Sequence, residues 1–369
     1  MAELIALDLP GGPAFVDELE RVWDEGDAVL PVDQRLPDLA RRELLDRFGA
    51  SAVVTDRGHR TDLARGVPVE PGDAAVVATS GSSGTPKGVV LTHDAIAASA
   101  AATSARLEVS GDDHWLACLP LSHVGGLSVV FRALHAGTAL TVLPRFDVEA
   151  VERSGATLVS LVATALRRID PSRFRVIVLG GARPPADRPP NTVATYGMTE
   201  TGSGIVYDGR PLDGVELRIV DDEIQVRGPM LLRCYRDGTD PLTDDGWFPT
   251  GDLGSIDRSG RLHVDGRRHD LIITGGENVW PEPIEAMLRR HPSVSDAAVY
   301  GAENPEWGQE VTACVVPTPG STIELDDLRE WVKTELPAFH APRRVVVCEE
   351  LPRTALGKPI RAQLRALDG

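Results

Sequence analysis

The feature that most constrains the fold is an alternation of short apolar runs with longer helical patterns through the first two thirds of the chain. Each run is too short and too continuously apolar for a helix with a solvent face, so it predicts a buried strand. The strands are predicted at residues 76–78, 115–119, 139–143, 157–161 and 175–179. Helices are predicted at 94–107, 126–135 and 147–152. This order predicts an α/β fold of mixed sheets flanked by helices.

The pattern changes in the last third of the chain. Residues 215–220 and 223–228 alternate apolar with polar side chains, which predicts an antiparallel subdomain with one wet face. Beyond residue 270, a compact α+β unit is predicted, with helices at 283–291 and 325–336 and strands at 296–300, 311–316 and 344–348. We therefore predict a large N-terminal domain, 1–267, and a small C-terminal domain, 268–369.

Charge and cysteine spacing exclude several classes of partner. The net charge of −17 argues against nucleic acid and anionic membranes, because binding to phosphates needs a basic face. A bound nucleotide must then be held locally, by backbone amides, a few cations and a metal. The four cysteines are far apart, as is typical of buried thiols in a reducing compartment. Without a signal-peptide pattern or a stretch of about 18 apolar residues, we expect a cytoplasmic protein with no integral membrane association.

Lysine is rare, with three lysines against 35 arginines. A lysine ammonium is a compact point charge on a flexible stem, which a planar guanidinium does not replace. Lys87 closes a Gly/Ser-rich segment and Lys358 follows Gly357, whereas Lys333 is expected to be an exposed helix residue. The first two are therefore candidates for contacts with phosphate.

Three segments carry groups suited to a nucleotide. Small residues at 81–85 follow a predicted strand and free backbone amides for phosphate oxygens, although Pro86 and Gly88 around Lys87 differ from a Walker A loop. Residues 195–200 offer an aromatic face, hydroxyls and the Glu200 carboxylate for Mg²⁺. Asp252 can accept both hydroxyls of a ribose. Each segment alone is also typical of an ordinary turn, so their joint presence and order carry the argument.

Eight motifs together resemble those of the acyl-adenylate-forming superfamily of acyl-CoA synthetases, luciferases and adenylation domains. They are 79–88 (TSGSSGTPKG), 119–123 (LPLSH), 180–182 (GGA), 196–200 (YGMTE), 246–252 (GWFPTGD), 266–267 (GR), 275–281 (GGENVWP) and 357–358 (GK). The resemblance runs from about residue 70 to the last residue, and it implies an abbreviated N-terminal region. It also implies ATP, Mg²⁺ and coenzyme A, because a carboxylate is first joined to AMP and then passed to a thiol.

The resemblance implies roles for individual residues. Phosphate contacts are implied for Thr79, Ser80, Gly81, Ser82, Ser83, Gly84, Thr85 and Lys87. Other nucleotide contacts are implied for Gly181, Ala182, Arg183, Thr195, Tyr196, Gly197, Met198, Asp252 and Arg267. Catalytic roles are implied for Lys87, His123, Thr199, Glu200 and Lys358, with Glu200 also holding Mg²⁺. Gly275 and Gly276 would leave room for the pantetheine of CoA, and the small, mobile C-terminal domain would rotate at residues 267–270, with His269 as the hinge.

A narrower resemblance concerns the acid. Residues 119–126 (LPLSHVGG) and 160–166 (SLVATAL) are most similar to the short 2-succinylbenzoate-CoA ligases of menaquinone biosynthesis. This implies substrate contacts from His123, Arg132, Ser160, Thr164 and Gly180, with Arg132 meeting the second carboxylate of the acid. Another aryl- or fatty-acyl-CoA ligase, an adenylating enzyme that loads a separate carrier protein, and a nucleotide-binding protein without catalysis remain alternatives. The sequence leaves the oligomeric state open, a homodimer included.

Overall fold

A computed structural model describes residues 1–55, 58–79, 86–181, 184–185, 187–353 and 359–368. The chain divides into two compact units. Unit one comprises Met1–Arg218, Gln225–Pro249 and Asp257–Leu262, and unit two comprises Ile219–Ile224, Thr250–Ile256 and His263–Gly369. The boundary expected after Arg267 stays a prediction.

The helices and strands alternate through the first two thirds of the chain. The α-helices are α1 (Pro13–Asp24), α2 (Asp38–Phe48), α3 (His93–Arg106), α4 (Val124–Ala136), α5 (Val148–Arg153), α6 (Ala163–Leu166), α7 (Pro281–Leu288), α8 (Leu325–Lys333) and α9 (Arg361–Leu364). Short 3₁₀ turns lie at Pro171–Arg173, Thr199–Thr201, Arg268–Asp270, Ala338–His340 and Arg365–Asp368. The strands are β1 (Leu4–Asp8), β2 (Ala28–Pro31), β3 (Ala52–Thr55), β4 (Arg60–Asp62), β5 (Asp73–Thr79), β6 (Lys87–Thr92), β7 (His114–Ala117), β8 (Ala139–Val142), β9 (Leu158–Leu161), β10 (Val176–Leu179), β11 (Thr192–Met198), β12 (Ser203–Tyr207), β13 (Arg210–Pro211), β14 (Glu216–Val220), β15 (Glu223–Arg227), β16 (Cys234–Tyr235), β17 (Phe248–Ile256), β18 (Leu262–Arg267), β19 (Ile272–Thr274), β20 (Glu277–Val279), β21 (Val294–Asn304), β22 (Gly308–Pro317) and β23 (Arg344–Val347).

The first sheet of unit one is mixed, with the order β16-β6-β5-β2-β1-β3-β4. Strands β5, β2, β1 and β3 pair in parallel, whereas β6, β16 and β4 are antiparallel to their neighbours. Apolar side chains from these strands, among them Leu4, Leu30 and Val76, form a core with Phe48 of α2. This core fixes the β5–β6 hairpin, whose loop carries the first glycine-rich motif.

The second sheet of unit one has the order β13-β12-β11-β10-β9-β7-β8. Strands β8, β7, β9, β10 and β11 run parallel, and β12 returns antiparallel to β11. Helix α4 packs against α3 and against β7, β9 and β12, and its residues 126–133 are all buried. The carboxyl ends of the parallel strands meet at one edge, which is where ligands bind in open α/β sheets.

A four-stranded sheet has the order β14-β15-β17-β18. Asp221 and Asp222 join β14 to β15, with φ of 49° and 63°. A two-residue connection of this kind joins antiparallel strands, as the alternation of polar and apolar residues predicts.

Unit two contains a sheet with the order β20-β19-β22-β21, and β23 pairs in parallel with β22. Helices α7 and α8 cover one face through a core that includes Ile284, Leu288, Leu328 and Val332. The Trp331 indole donates a hydrogen bond to the carbonyl of Met287 at 2.9 Å, which joins the two helices. The α+β character predicted for the C-terminal part is confirmed, as is the mixed α/β fold of the whole chain.

Candidate active site

The first glycine-rich motif lies in a β-hairpin. Thr79, the last residue of β5, pairs antiparallel with Lys87, the first residue of β6. The predicted phosphate contacts Ser80, Gly81, Ser82, Ser83, Gly84 and Thr85 lie outside the described residues. Because a strand follows the loop, no helix N-terminus stands behind Lys87. A phosphate bound by this motif would therefore meet Lys87 at the start of a strand, without the helix dipole of a Walker A site.

Lys87 and Glu200 both contact Tyr235. The Lys87 ammonium lies 4.6 Å from the centroid of the Tyr235 ring. The Tyr235 hydroxyl donates a hydrogen bond to Glu200 Oε1 at 3.0 Å. Lys87, predicted to contact phosphate, and Glu200, predicted to bind Mg²⁺, are thus brought together by a tyrosine that the sequence analysis did not single out.

The fit of Glu200 to Mg²⁺ depends on how many protein ligands the ion needs. Among the described residues, no three His, Cys, Asp or Glu side chains come together as a metal cluster. Mg²⁺ that is carried by a nucleotide needs only one or two protein carboxylates, since phosphate oxygens and water supply the rest. One carboxylate beside the Lys87 end of the hairpin therefore fits Mg²⁺ bound with ATP better than a resident metal centre.

Two predicted nucleotide segments lie at the same sheet edge. Gly180 and Gly181 follow β10, and Thr195 and Tyr196 lie in β11, which pairs in parallel with β10. The Thr195 hydroxyl donates to the Leu179 carbonyl at 3.1 Å, which joins the two segments directly. The predicted contacts Ala182 and Arg183 lie outside the described residues.

The YGMTE motif runs from β11 into a 3₁₀ turn. A Cβ on Gly197 would lie 2.2 Å from the Ser203 carbonyl oxygen, so only glycine allows β11 and β12 to approach this closely. Met198 donates its N–H to Thr201 Oγ1 at 2.9 Å, and Gly202 donates its N–H to the Thr199 carbonyl at 2.9 Å. These bonds fix the turn that presents Glu200.

The LPLSHVGG motif forms the start of α4. A Cβ on Gly126 would lie 2.4 Å from the Leu119 carbonyl oxygen, so the helix packs directly on the preceding turn. His123 immediately precedes α4, and its Nε2 lies 3.7 Å from Asp33 Oδ2. Burial lowers the pKa of His123, although the Asp33 carboxylate opposes this shift. The imidazole is therefore mainly neutral at pH 7.

Arg132 is a buried cation in α4, with 3% of its surface exposed. Its Nη2 donates to Ser203 Oγ, and its guanidinium carbon lies 5.6 Å from the centroid of the Trp115 ring. Within the described part of the chain, Nε and Nη1 have no hydrogen-bond partner and no carboxylate lies within 4.0 Å. A small cavity beside it is lined by Ile96, Ser99, Ser128 and Phe131. An unpaired buried charge is costly, so the site suits an anionic ligand group.

The other predicted acid contacts differ in exposure. Ser160 lies in β9, is 6% exposed, and its hydroxyl has no partner among the described residues. Thr164 is exposed in α6, next along the chain. A Cβ on Gly180 would lie 3.3 Å from Thr195 Oγ1. Ser160 is thus a buried hydroxyl without a partner among the described residues, whereas Thr164 is exposed.

In unit two, Asp252, whose carboxylate is predicted to bind ribose, lies beside a cation. Arg267 Nε lies 3.3 Å from Asp252 Oδ1, and Asp252 is 6% exposed. The Asp252 N–H donates to Thr250 Oγ1 at 3.1 Å, and Gly251 donates its N–H to Glu223 at 2.8 Å. The structure therefore places Asp252 and Arg267, two residues predicted from separate motifs, in one ion pair.

The backbone geometry of a tight turn explains why residues 275 and 276 are glycines. They form the two-residue turn between β19 and β20, with φ of 59° and 86°. Positive φ at both central positions is the geometry that favours glycine in tight hairpins. A Cβ on Gly275 would also lie 2.8 Å from the Trp307 ring. The turn explains both glycines without CoA, so their contact with pantetheine stays a prediction.

Lys358 lies outside the described residues, but the residues that flank its segment are well anchored. Arg353 and Pro359 form a β-bridge, and Arg353 Nη2 lies 2.6 Å from Asp296 Oδ2. Arg361 contacts Asp270 and Glu285 at 3.0 Å each. Arg353 and Arg361, which lie on either side of residues 354–358 in the sequence, are therefore each held by ion pairs within unit two.

The chain is similar in sequence to known AMP-binding enzymes. The family model described as AMP-binding enzyme matches residues 28–236, and the AMP-binding enzyme C-terminal domain matches residues 283–358. The 2-succinylbenzoate–CoA ligase of Bacillus anthracis (strain A0248) is 36% identical over 336 residues, which cover 79% of this chain and 69% of the relative. The ligase of the same name from Bacillus cytotoxicus is 37% identical over 338 residues, with the same coverage of both chains.

Solved structures give the same picture. The o-succinylbenzoate CoA synthetase (MenE) of Bacillus subtilis in complex with the acyl-adenylate intermediate OSB-AMP matches with a TM-score of 0.88 and 29% identity, over 98% of this chain and 88% of the other. The same synthetase in complex with ATP and a magnesium ion matches with a TM-score of 0.86, over 98% and 89% of the two chains. Among the described residues, no helix has the length and apolarity needed to cross a membrane.

Proposed function

Because this chain belongs to the family of AMP-binding enzymes, we propose that it is an ATP-dependent 2-succinylbenzoate-CoA ligase of menaquinone biosynthesis. It is an AMP-forming acid-thiol ligase. In the first half-reaction, a carboxylate oxygen of the acid attacks the α-phosphorus of ATP and pyrophosphate leaves. In the second, the CoA sulfur loses its proton and attacks the acyl carbon, and AMP leaves.

The observation that carries the choice of acid is the environment of Arg132. 2-Succinylbenzoate keeps its ring carboxylate after the other carboxylate has been joined to AMP. Burial of that carboxylate without a partner would cost several kcal/mol. Arg132 offers a buried guanidinium with two unpaired nitrogens among the described residues. Pairing the two groups removes both costs, whereas a fatty acid would leave Arg132 unpaired.

Other residues would hold the nucleotide. The hairpin from Thr79 to Lys87 would hold the β- and γ-phosphates, and Tyr196 and Gly181 would border the adenine. Asp252, beside Arg267, would accept the ribose hydroxyls. Mg²⁺ carried by ATP supplies positive charge for the departing pyrophosphate, and Glu200 would hold it.

Lys358 would act where the two reactants meet. Its ammonium would donate to the substrate carboxylate and to the α-phosphate, which stabilises the charge that develops there. The neutral His123 would line the acid site. After adenylation, the C-terminal domain, 268–369, would rotate about residues 267–270 to admit CoA. Rotation of one domain between half-reactions is a known way to use one site for two steps.

The proposal is tested by measuring AMP released from ATP with a panel of acids, with and without CoA. We expect AMP and thioester only when 2-succinylbenzoate, Mg²⁺ and CoA are all present. Turnover of benzoate or fatty acids in its place would assign another acid-CoA ligase. Adenylate formation without any transfer to CoA would favour an enzyme that loads a carrier protein, and no AMP with any acid would favour the non-catalytic alternative.

Two further properties belong to this proposal. We place the enzyme in the cytoplasm, where ATP, CoA and reduced thiols are available. We also propose that it forms a homodimer. Cell fractionation and light scattering of the purified protein measure these two properties.

A further inference from the structure

Tyr235 occupies a fixed position at the edge of the first sheet. It lies in β16 and pairs with Val89 of β6, two residues beyond Lys87. The residue is 8% exposed. The carbonyl of Glu200 also accepts a hydrogen bond from the N–H of Leu232 at 2.8 Å, which ties the segment before β16 to the YGMTE turn. The tyrosine is therefore held by backbone contacts to both motifs.

The side chain of Tyr235 contacts a charged group at each of two places. Its hydroxyl donates to Glu200 Oε1 at 3.0 Å, and its ring lies 4.6 Å from the Lys87 ammonium. A hydrogen bond to a carboxylate is stronger than one between neutral groups. A cation held over an aromatic face is also attracted to it. One rigid side chain thus restrains both the anion and the cation.

We propose that Tyr235 is a positioning residue for adenylation, which orients the Glu200 carboxylate through its hydroxyl and the Lys87 ammonium through its ring. This inference rests on the proposed function, because it concerns the site for Mg²⁺ and the phosphates of ATP. Glutamate and lysine side chains are flexible, and restraining them before ATP arrives reduces the entropy lost on binding.

Tyr235→Phe separates positioning from packing, because it removes the hydroxyl and keeps the ring. Its matched control is Tyr207→Phe, which removes another buried hydroxyl, 3.3 Å from Thr103 Oγ1. We expect Tyr235→Phe to lower the rate of adenylation by about 10-fold or more, which is the loss expected for one hydrogen bond to a charged group. Tyr235→Leu, which also removes the ring, should lower it further.

A binding measurement tests the same point without catalysis. Calorimetry with α,β-methylene-ATP measures the Mg²⁺ concentration at half-maximal nucleotide binding. In Tyr235→Phe we expect this concentration to rise several-fold, whereas affinity for AMP, which lacks the β- and γ-phosphates, should stay within about two-fold of wild type. A purely structural role would change AMP binding and the unfolding temperature as well.

A double-mutant cycle keeps the proposal falsifiable if Tyr235→Phe perturbs folding. Adding Tyr235→Phe to Glu200→Gln should have a much smaller effect than it has in the wild type, whereas Tyr207→Phe should add independently. Additive effects of Tyr235→Phe, or wild-type adenylation with wild-type Mg²⁺ dependence, would overturn the proposal. If the wild type made no AMP from any acid, the proposed function would fail, while the calorimetry would still decide the role of Tyr235.

Discussion

Replacement of Arg132 by methionine should leave the stability of the unliganded protein nearly unchanged while it disables the use of 2-succinylbenzoate. The guanidinium is 3% exposed, and two of its nitrogens lack partners among the described residues. Methionine is shorter but flexible and uncharged, so it fills most of the space without the cost of a buried cation. A residue that served only to stabilise the fold would behave in the opposite way.

The change in stability can be estimated from the contacts of Arg132. Replacing buried charged groups by apolar residues of similar volume is neutral or stabilises by about 1–4 kcal/mol. Against this, Ser203 loses its donor, at about 1 kcal/mol, and the contact with Trp115 is lost, at about 0.5–1 kcal/mol. We expect the free energy of unfolding of Arg132→Met to lie within about 2 kcal/mol of the wild-type value.

The change in activity should be much larger. Removing one partner of a buried charge pair costs about 2–5 kcal/mol. The ratio kcat/KM for 2-succinylbenzoate should therefore fall by about 30-fold to several thousand-fold. For 4-oxo-4-phenylbutanoate, which lacks the ring carboxylate, the variant should match or exceed the wild type. The KM for ATP should not change.

The assay combines urea unfolding with AMP release for the two acids. Ser160→Ala is a useful comparison, since it alters another buried polar group of the acid site without removing a charge. If Arg132→Met lost several kcal/mol of stability, or if kcat/KM fell equally for the two acids, Arg132 would be a structural residue and the reasoning would be wrong.

Three further predictions concern other parts of the molecule. Lys358→Ala should slow adenylation about 100-fold or more but retain thioester formation from supplied acyl-adenylate, and equal loss in both half-reactions would contradict its role. His269→Pro, which fixes φ near −65°, should keep adenylation and lose thioester formation, and intact thioester formation would remove the hinge. Asp113→Asn should destabilise the fold by about 1–3 kcal/mol at pH 7, measured by urea unfolding. Burial raises the pKa of Asp113, but hydrogen bonds, chiefly from Arg175, outweigh burial and hold the pKa below the ordinary 3.8. The stabilisation that the Asp113 carboxylate contributes should therefore be complete above about pH 4 and vanish as the pH falls further.

The sequence predicts regular elements well where a pattern is continuous. The strand predicted at 157–161 is Leu158–Leu161, and the helix predicted at 94–107 is His93–Arg106. Apolar runs and helical periodicity are local, so they can be recognised without knowledge of the partners. No elements were predicted within the first 70 residues, although β1, α1, β2, α2, β3 and β4 lie there. Strands β1 and β2 are buried by neighbours distant in sequence, and β4 is short and exposed, so a local pattern does not reveal them.

The candidate site was predictable as a set of motifs and not as a set of contacts. Glu200 and Lys87 were each expected to meet the phosphates and metal of one nucleotide, but nothing local indicated that Tyr235 contacts both. Tyr235 lies in a strand of two residues and is 35 residues from Glu200. Its position depends on the antiparallel pairing of β16 with β6. The ion pair of Asp252 with Arg267 likewise arises from folding, because it joins two motifs on different strands.

The division of the chain into two units has a consequence for how such an enzyme can change during evolution. The residues proposed to line the site for the aromatic part of the acid, from His123 and Arg132 to Gly180, belong to unit one, whereas Lys358, proposed to meet the reacting carboxylate, belongs to the part of the chain assigned to unit two. Recognition of the aromatic part of the acid and contact with its reacting carboxylate would thus be inherited on separate parts of the chain. Under this proposal, mutations around α4 would alter which acid is accepted while unit two remains unchanged, so new specificities could arise without a change to Lys358.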